Sequence, residues 1–463
     1  RRAGKCIENS CGGGAGGRGV RVSGQQQPQG MRSWTAPALQ SLRLDGCAGV
    51  GGPRGLVATL AKSCPHLRAL SLSTCQGRGQ LAQATLSLLG ERLTRLDLSG
   101  LAGAGGARAG IEGLDLSTEG GPTGQWLARD GSPLPLEALA LGASGVSAGN
   151  LNTIASRCPR LKQLWLGAIA PTRLLEPDDV PARRDGRSRR ESCFGADVFE
   201  EGAQGLDDDA VASVLALLPE LTCVDVCGLS RVSDTLAHAL VRLCPHLSEV
   251  RVAGSGITST GVLIVASRPL LRVLDARRVR GAQPTDALVG ALAGGPGERL
   301  RELRLEGATV SDAGVRMLAE AAPALEALQL TACMRLSDAV LELAGRKGFF
   351  RALEELILDG SPAVTDKGIS ALASGAGAPS LARLALAASP LGLTPSGPTI
   401  AHAAQGFAPD REAPPLPSRR APHALHGRAL RQLKDGCPRL ELLALGPLPE
   451  WADPPGAFAA VAA

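Results

Sequence analysis

From Leu300 to Leu358 the apolar positions return in a fixed phrase. L-x-x-L-x-L stands at Leu300/Leu303/Leu305, at Leu325/Leu328/Leu330 and at Leu353/Leu356/Leu358, so successive phrases start 25 and 28 residues apart. The last two leucines of each phrase are two residues apart. That places both on one face of a short strand, and it places Glu302, Arg304 and Glu306 on the other. A small polar turn follows each phrase: Val310-Ser311-Asp312, Leu336-Ser337-Asp338 and Val364-Thr365-Asp366. Apolar residues at helical spacing come next. Ser311 or Asp312 can cap the helix with a side-chain oxygen. Val315, Leu318, Ala319 and Ala322 line one stripe of it, and Pro323 ends it. Such a strand–turn–helix has two apolar faces and cannot bury both alone. Stacked on copies of itself it buries a continuous core, so the period predicts a solenoid.

The same phrase starts at Leu39, Leu67, Leu93, Leu136, Leu161, Leu221, Leu247, Leu271, Leu300, Leu325, Leu353, Leu381 and Leu440. That gives about thirteen units, or fourteen with a poorer echo at Ile111/Leu114/Leu116. The expected fold class is α/β: a leucine-rich repeat solenoid (horseshoe) with parallel strands on the concave face and helices on the convex face. Two intervals exceed the period, 60 residues from Leu161 to Leu221 and 59 from Leu381 to Leu440. Each holds one unit and an insertion of roughly thirty residues. The expected organisation has three parts. Residues 1–35 form a Gly- and Gln-rich tail unable to bury a core. Residues 36–450 form the solenoid, with insertions at about 170–205 and 389–422. Residues 451–463 form a C-terminal tail.

The first insertion clusters Arg183, Arg184, Arg187, Arg189 and Arg190, as a solvated loop does. Within it, Arg189-Arg190-Glu191-Ser192 resembles a basophilic kinase site. In the second insertion Arg411, Pro414, Pro417 and Arg419 give a polyproline II pattern, read either as a ligand for an aromatic groove or as an inert linker. Gly12, Gly14 and Gly17 match G-x-G-x-x-G, but no strand precedes them and no helical pattern follows, so they do not predict a dinucleotide site.

Composition narrows the reading. Hydrophobic residues make up 44% of the chain, aromatics only 2%, and Tyr is absent, so the core must be aliphatic. A net charge of +5 does not call for nucleic acid or an anionic membrane as partner. The apolar run Val262 to Ala266 is far short of a membrane span. The twelve Cys scatter at repeat-related positions. Cys223 and Cys227, taken as one strand, would stand about 13 Å apart, too far for a disulfide. No signal peptide is recognisable at the start. These features predict a reduced, intracellular, monomeric protein, cytoplasmic or nuclear. The chain opens on Arg1 rather than Met, as a fragment would.

Units close with Cys64-Pro65, Cys158-Pro159, Cys244-Pro245 and Cys437-Pro438, each just before the next strand. Cys47, Cys75 and Cys333 take the last position of L-x-x-L-x-L-x-x-C. With the V-S-D and V-T-D turns, the chain over about residues 39–446 resembles the cysteine-containing leucine-rich repeats of the F-box/leucine-rich-repeat proteins and the antagonist-of-mitotic-exit protein. In the F-box members of that family the repeats hold a substrate while the F-box binds the Skp adaptor of a Skp–cullin–F-box ubiquitin ligase. The resemblance thus implies a protein substrate on the concave face and a Skp-type adaptor wherever an F-box precedes the repeats. Residues 1–35 are too short and too Gly-rich to be that F-box, which leaves an F-box-less scaffold or regulatory protein as the rival reading. The Cys are read as small buried hydrophobes.

Catalytic motifs are missing: the sequence holds no G-x-x-x-x-G-K-[ST], no H-E-x-x-H and no C-x-x-C pair. His66 and His246 follow Cys-Pro in equivalent repeat positions. Asp207, Asp208 and Asp209 precede a helical stripe and read as helix-capping acids. A GTPase-activating repeat protein would resemble the Asn-ladder repeats, whereas the asparagines here are Asn9, Asn150 and Asn152. No enzyme activity, cofactor or metal is expected. The candidate binding residues are the outward-facing ones of the strands. These are Trp165, Asp225, Arg251, Asp275, Arg304, Gln329 and Ile357, with Arg277 two residues after Asp275. Trp165 is the large aromatic of the row and Ile357 its exposed apolar residue. Trp and Arg are over-represented at binding hot spots, so Trp165, Arg251, Arg277 and Arg304 come first.

Overall fold

The computed structural model describes residues 38–45, 53–73, 88–100, 133–142, 146–167, 206–361, 363–375, 379–386 and 436–445, with Thr85 and Leu433. The two tails, the echo at Ile111/Leu114/Leu116 and the insertions at about 170–205 and 389–422 lie outside the described residues, as do Cys47 and Cys75.

Each of the thirteen leucine phrases carries a strand. They are β1 (Ser41–Arg43), β2 (Ala69–Ser71), β3 (Arg95–Asp97), β4 (Ala138–Ala140), β5 (Gln163–Trp165), β6 (Cys223–Asp225), β7 (Glu249–Arg251), β8 (Val273–Ala276), β9 (Glu302–Glu306), β10 (Ala327–Thr331), β11 (Glu355–Ile357), β12 (Arg383–Leu386) and β13 (Leu442–Leu445). The described helices are α1 (Pro53–Ser63), α2 (Ala148–Arg157), α3 (Asp208–Leu217), α4 (Asp234–Leu243), α5 (Ser259–Ala266), α6 (Asp286–Gly294), α7 (Asp312–Ala321), α8 (Ala339–Gly345) and α9 (Asp366–Ser374).

The chain divides into two compact units, the first holding β1–β6 and the second β7–β13. In the first unit each strand pairs in parallel with the next, in sequence order. The second unit repeats that arrangement. β5 pairs directly with β6 and β12 with β13, so the two long intervals leave the strand order unbroken. This is an α/β leucine-rich repeat fold.

The phrase leucines build the core. Leu67, Leu70, Leu72, Leu93, Leu96 and Leu98 are wholly buried in the first unit, as are Leu300, Leu303, Leu305, Leu325, Leu328, Leu353 and Leu356 in the second. Val315, Leu318, Ala319 and Ala322 are buried as their helical spacing predicts. The Cys-Pro step is a turn from helix to strand. The N–H of Leu67 donates to the Cys64 carbonyl (3.2 Å), that of Leu161 to Cys158 (3.1 Å), and that of Leu440 to Cys437 (3.0 Å). Proline fits the second position of such a turn because its φ is already fixed there and it has no N–H to satisfy. Leu218-Pro219 and Ala322-Pro323 make the same turn without Cys. Cys64, Cys158, Cys223, Cys227, Cys244, Cys333 and Cys437 are all free and buried. β6 stops at Asp225, so Cys223 and Cys227 do not share a strand as the spacing suggested.

The polar turns do more than cap. In the second unit the Ser311 hydroxyl accepts from Gly314 N–H at the start of α7 (3.3 Å) and donates to Asp286 of the preceding repeat (2.7 Å). Asp286 also accepts from Ser311 N–H (2.8 Å). Asp312 brackets Ser337 in the same way (2.9 and 2.6 Å), and Asp234 brackets Thr258 (2.8 and 2.6 Å). Asp338 holds Thr365 likewise, its Oδ2 accepting from the hydroxyl at 2.6 Å. The sequence offered Ser311 and Asp312 as alternative caps. The structure gives them separate tasks, serine to its own helix and aspartate to the next repeat.

Candidate recognition face

Because side chains alternate along a strand, the residues beside the buried leucines face outward. In the first unit the register sets Arg43, Ser71, Asp97, Ala140, Trp165 and Asp225 in one row. In the second it sets Arg251, Asp275, Arg304, Gln329, Ile357, Ala385 and Ala444 in a row.

Four candidates, Trp165, Asp225, Asp275 and Ile357, are less accessible than their outward position implied. Trp165 is only 3% exposed and packs with Ala138, Ala140 and Cys223, small residues on the flanking strands that leave room for the indole. Its Nε1 has no hydrogen-bond partner, so packing alone holds it. Ile357, expected to be exposed, is buried at 4%. It stands in register between Gln329 and Ala385, and neighbours about 4.8 Å to either side leave a branched side chain little open surface.

The aspartates of the row serve the strand ends. Asp225 Oδ1 accepts from Cys227 N–H (2.9 Å), and Asp97 Oδ1 accepts from Ser99 N–H (2.9 Å). Each carboxylate closes a local turn two residues on, which stops the strand and satisfies a backbone donor. Asp97 is also within reach of the Ser71 hydroxyl (3.1 Å), which donates to Asp45 as well. Burial pushes the Asp97 carboxyl up, and the Asp45 charge adds to this, while the bonds from Ser99 and Ser71 oppose it.

The second unit assembles most of the predicted charged residues. Arg277 lies on Asp275 with two parallel bonds, Nε to Oδ1 and Nη2 to Oδ2, both 3.0 Å. Arg251 pairs with Glu249 (3.1 Å) and Arg304 with Glu302 (3.4 Å). Gln329 Nε2 donates to Thr331 Oγ1 (3.1 Å). Four successive repeats thus each carry a polar pair two residues apart, on β7, β9 and β10 and at the exit of β8. Burial alone would push the Asp275 carboxyl up. Arg277, Arg304 and Arg251 together outweigh it and hold Asp275 below the ordinary carboxylate value.

Reading single positions of the row found Arg251, Asp275, Arg277, Arg304 and Gln329. Their partners Glu249 and Thr331 are not among the predicted residues, and Glu302, which the strand pattern already puts on this face, is not among the binding candidates. The Glu-x-Arg and Asp-x-Arg spacing was the available signal. Of the other acids considered, Asp207 caps α3, accepting from Ala210 N–H (3.0 Å), as its place before the helix predicted.

No family model matches the chain. Over 140 residues it is 31% identical to the lysine-specific demethylase 2B of Mus musculus, a stretch that is 27% of this chain. The chain covers 11% of that protein's length. In structure it is similar to a chain of the Rad7 and Elc1 complex of yeast (TM-score 0.43, 15% identity, 77% of this chain and 71% of that one). It is also similar to the leucine-rich repeat-containing protein LegL7 of Legionella pneumophila (0.34, 12%, 76% and 84%) and to an internalin, inlF, of Listeria monocytogenes (0.32, 15%, 76% and 87%).

Proposed function

We propose that this chain is a non-enzymatic protein-recognition solenoid whose outward strand face in the second unit holds a protein partner. The observation that carries the proposal is the run of four polar pairs on β7, β9 and β10 and at the exit of β8. Their charges and donors are already fixed in place, so little side-chain entropy is lost when a partner docks. Pairs of opposite charge held this way give specificity and register more than raw affinity. The Cys-Pro-ended repeats and their likeness to the F-box/leucine-rich-repeat proteins support a finer reading, the substrate-recognition component of a Skp–cullin–F-box ubiquitin ligase in the cytoplasm or nucleus.

The test uses the full-length protein, tagged and captured from cells with its bound proteins. Recognition through this face predicts that Arg251→Glu with Arg304→Glu removes most of the captured set from a folded protein. A captured set unchanged by the double variant would show that this face is not the recognition surface. Co-purification of a Skp-type adaptor supports the ligase role, and its absence leaves a scaffold.

A further inference from the structure

In each described repeat whose backbone shows it, the residue three positions after the outward row lies in the left-handed region. Five of these are glycines: Gly100, Gly228, Gly254, Gly307 and Gly360. The other two are Ala332 (φ 54°) and Arg278 (φ 52°). Glycine adopts that conformation freely, whereas a side chain there is strained. Strain of this kind persists only where the surrounding structure enforces it, and it gathers at binding sites. Arg278, like Ala332, thus carries a Cβ at a position that five other repeats give to glycine.

Its surroundings are rich in guanidinium groups. Arg277, Arg278 and Arg280 follow one another at the exit of β8. Arg277 is more open to solvent than the carboxylate it covers (18% against 4%), so a visitor meets the cation rather than Asp275. Arg278 reaches across to Glu306 of the next strand (3.3 Å). Arg280 is exposed, and its backbone is bridged to Thr258, the residue bracketed by Asp234. The rim is thus tethered to the preceding repeat, and Arg277 joins it to Asp275, which stands in register between Arg251 and Arg304.

We propose that Arg277, Arg278 and Arg280 form a rim that grips an acidic segment of the partner polypeptide, the exposed Arg280 offering its guanidinium fork to a carboxylate while Arg277 and Arg278 are held in place by Asp275 and Glu306. The inference rests on the protein-recognition reading above and names the partner's chemistry. Guanidinium forks match carboxylate geometry, and charge complementarity at a rim speeds encounter and fixes register.

The test is fluorescence anisotropy of a labelled octaglutamate peptide with the full-length protein at low ionic strength. Octalysine and a labelled oligothymidylate serve as comparisons. Octaglutamate should bind and octalysine should not. Arg278→Gly should weaken octaglutamate by about tenfold while raising the melting temperature by about 2 °C, because it relieves the left-handed strain. Arg280→Glu, at an exposed position, should weaken it at least as much with the melting temperature unchanged. Octaglutamate affinity unaltered in both variants overturns the proposal. So does tighter binding of oligothymidylate that is lost in the same variants. If octaglutamate fails to bind while cellular partners are still captured through Arg251 and Arg304, the acidic-segment inference falls and the recognition reading stands. If capture is insensitive to those arginines as well, both fall.

Discussion

Asp97 and Asp275 hold the same place in their repeats and both are buried, yet their carboxyl groups are driven in opposite directions. Asp97 has hydroxyl and backbone donors and a second acid nearby, and burial dominates. Asp275 has three arginines. The sign follows by linkage. A depressed carboxyl contributes stability in full above the ordinary pKa of about 4, and that contribution is lost as pH falls through the lower folded-state value. Asp275→Asn should therefore cost about 2–3 kcal/mol at pH 7, with the deficit narrowing below pH 4. A raised carboxyl behaves inversely: its contribution is in full below about pH 4 and is lost as pH rises through the raised value. Asp97→Asn, which keeps the acceptor and removes the charge, should stabilise the protein at pH 7 and lose that gain in acid. Urea denaturation across pH checks both signs. The buried cysteines give a second prediction at this scale. Burial pushes the thiols of Cys158 and Cys333 up to about 12. Native protein treated with a thiol reagent near pH 8 should carry no label on either in peptide mapping, and both should react once unfolded. Labelling of native Cys333 would contradict the packing role.

At the scale of the element, thirteen strands were legible because L-x-x-L-x-L fixes which side of a strand is buried, whatever lies between the phrases. The brackets between repeats were not, since Ser-Asp before a helix looks like a cap whichever oxygen does the capping. Their cost falls on glycine. A Cβ on Gly314 would stand 2.3 Å from the Asp286 carboxylate, and one on Gly261 equally close to Asp234. Replacing glycine by alanine in a helix ordinarily gains about 1 kcal/mol. Here Gly314→Ala should instead destabilise by about 2 kcal/mol, and Asp286→Ala should absorb most of that penalty in the double variant. A double-mutant cycle from urea midpoints measures the coupling. Additive effects would mean that the bracket does not hold the repeats together. Burial on the outward face was hidden for another reason. Period two says where Trp165 and Ile357 point, and it says nothing of the small residues beside Trp165 or the in-register neighbours of Ile357.

In the whole molecule the phrase leucines and the helices' apolar stripes form the core, and the strands' outward residues are the proposed partner surface. The residues that the row pattern singled out divide accordingly. Trp165, Asp225, Asp275 and Ile357 are buried, while Arg251, Arg277, Arg304 and Gln329 keep half-buried polar groups on the face. The most direct measurement places a photo-crosslinking amino acid at Gln329, on the strand face, and separately at Leu263, an exposed position on α5. Each variant is irradiated in cells as the full-length protein. Recognition by the strand face gives a discrete crosslinked partner from position 329 that disappears with Arg251→Glu and Arg304→Glu, and none from position 263. The same partner crosslinked from position 263 but not from 329 would contradict recognition by the strand face.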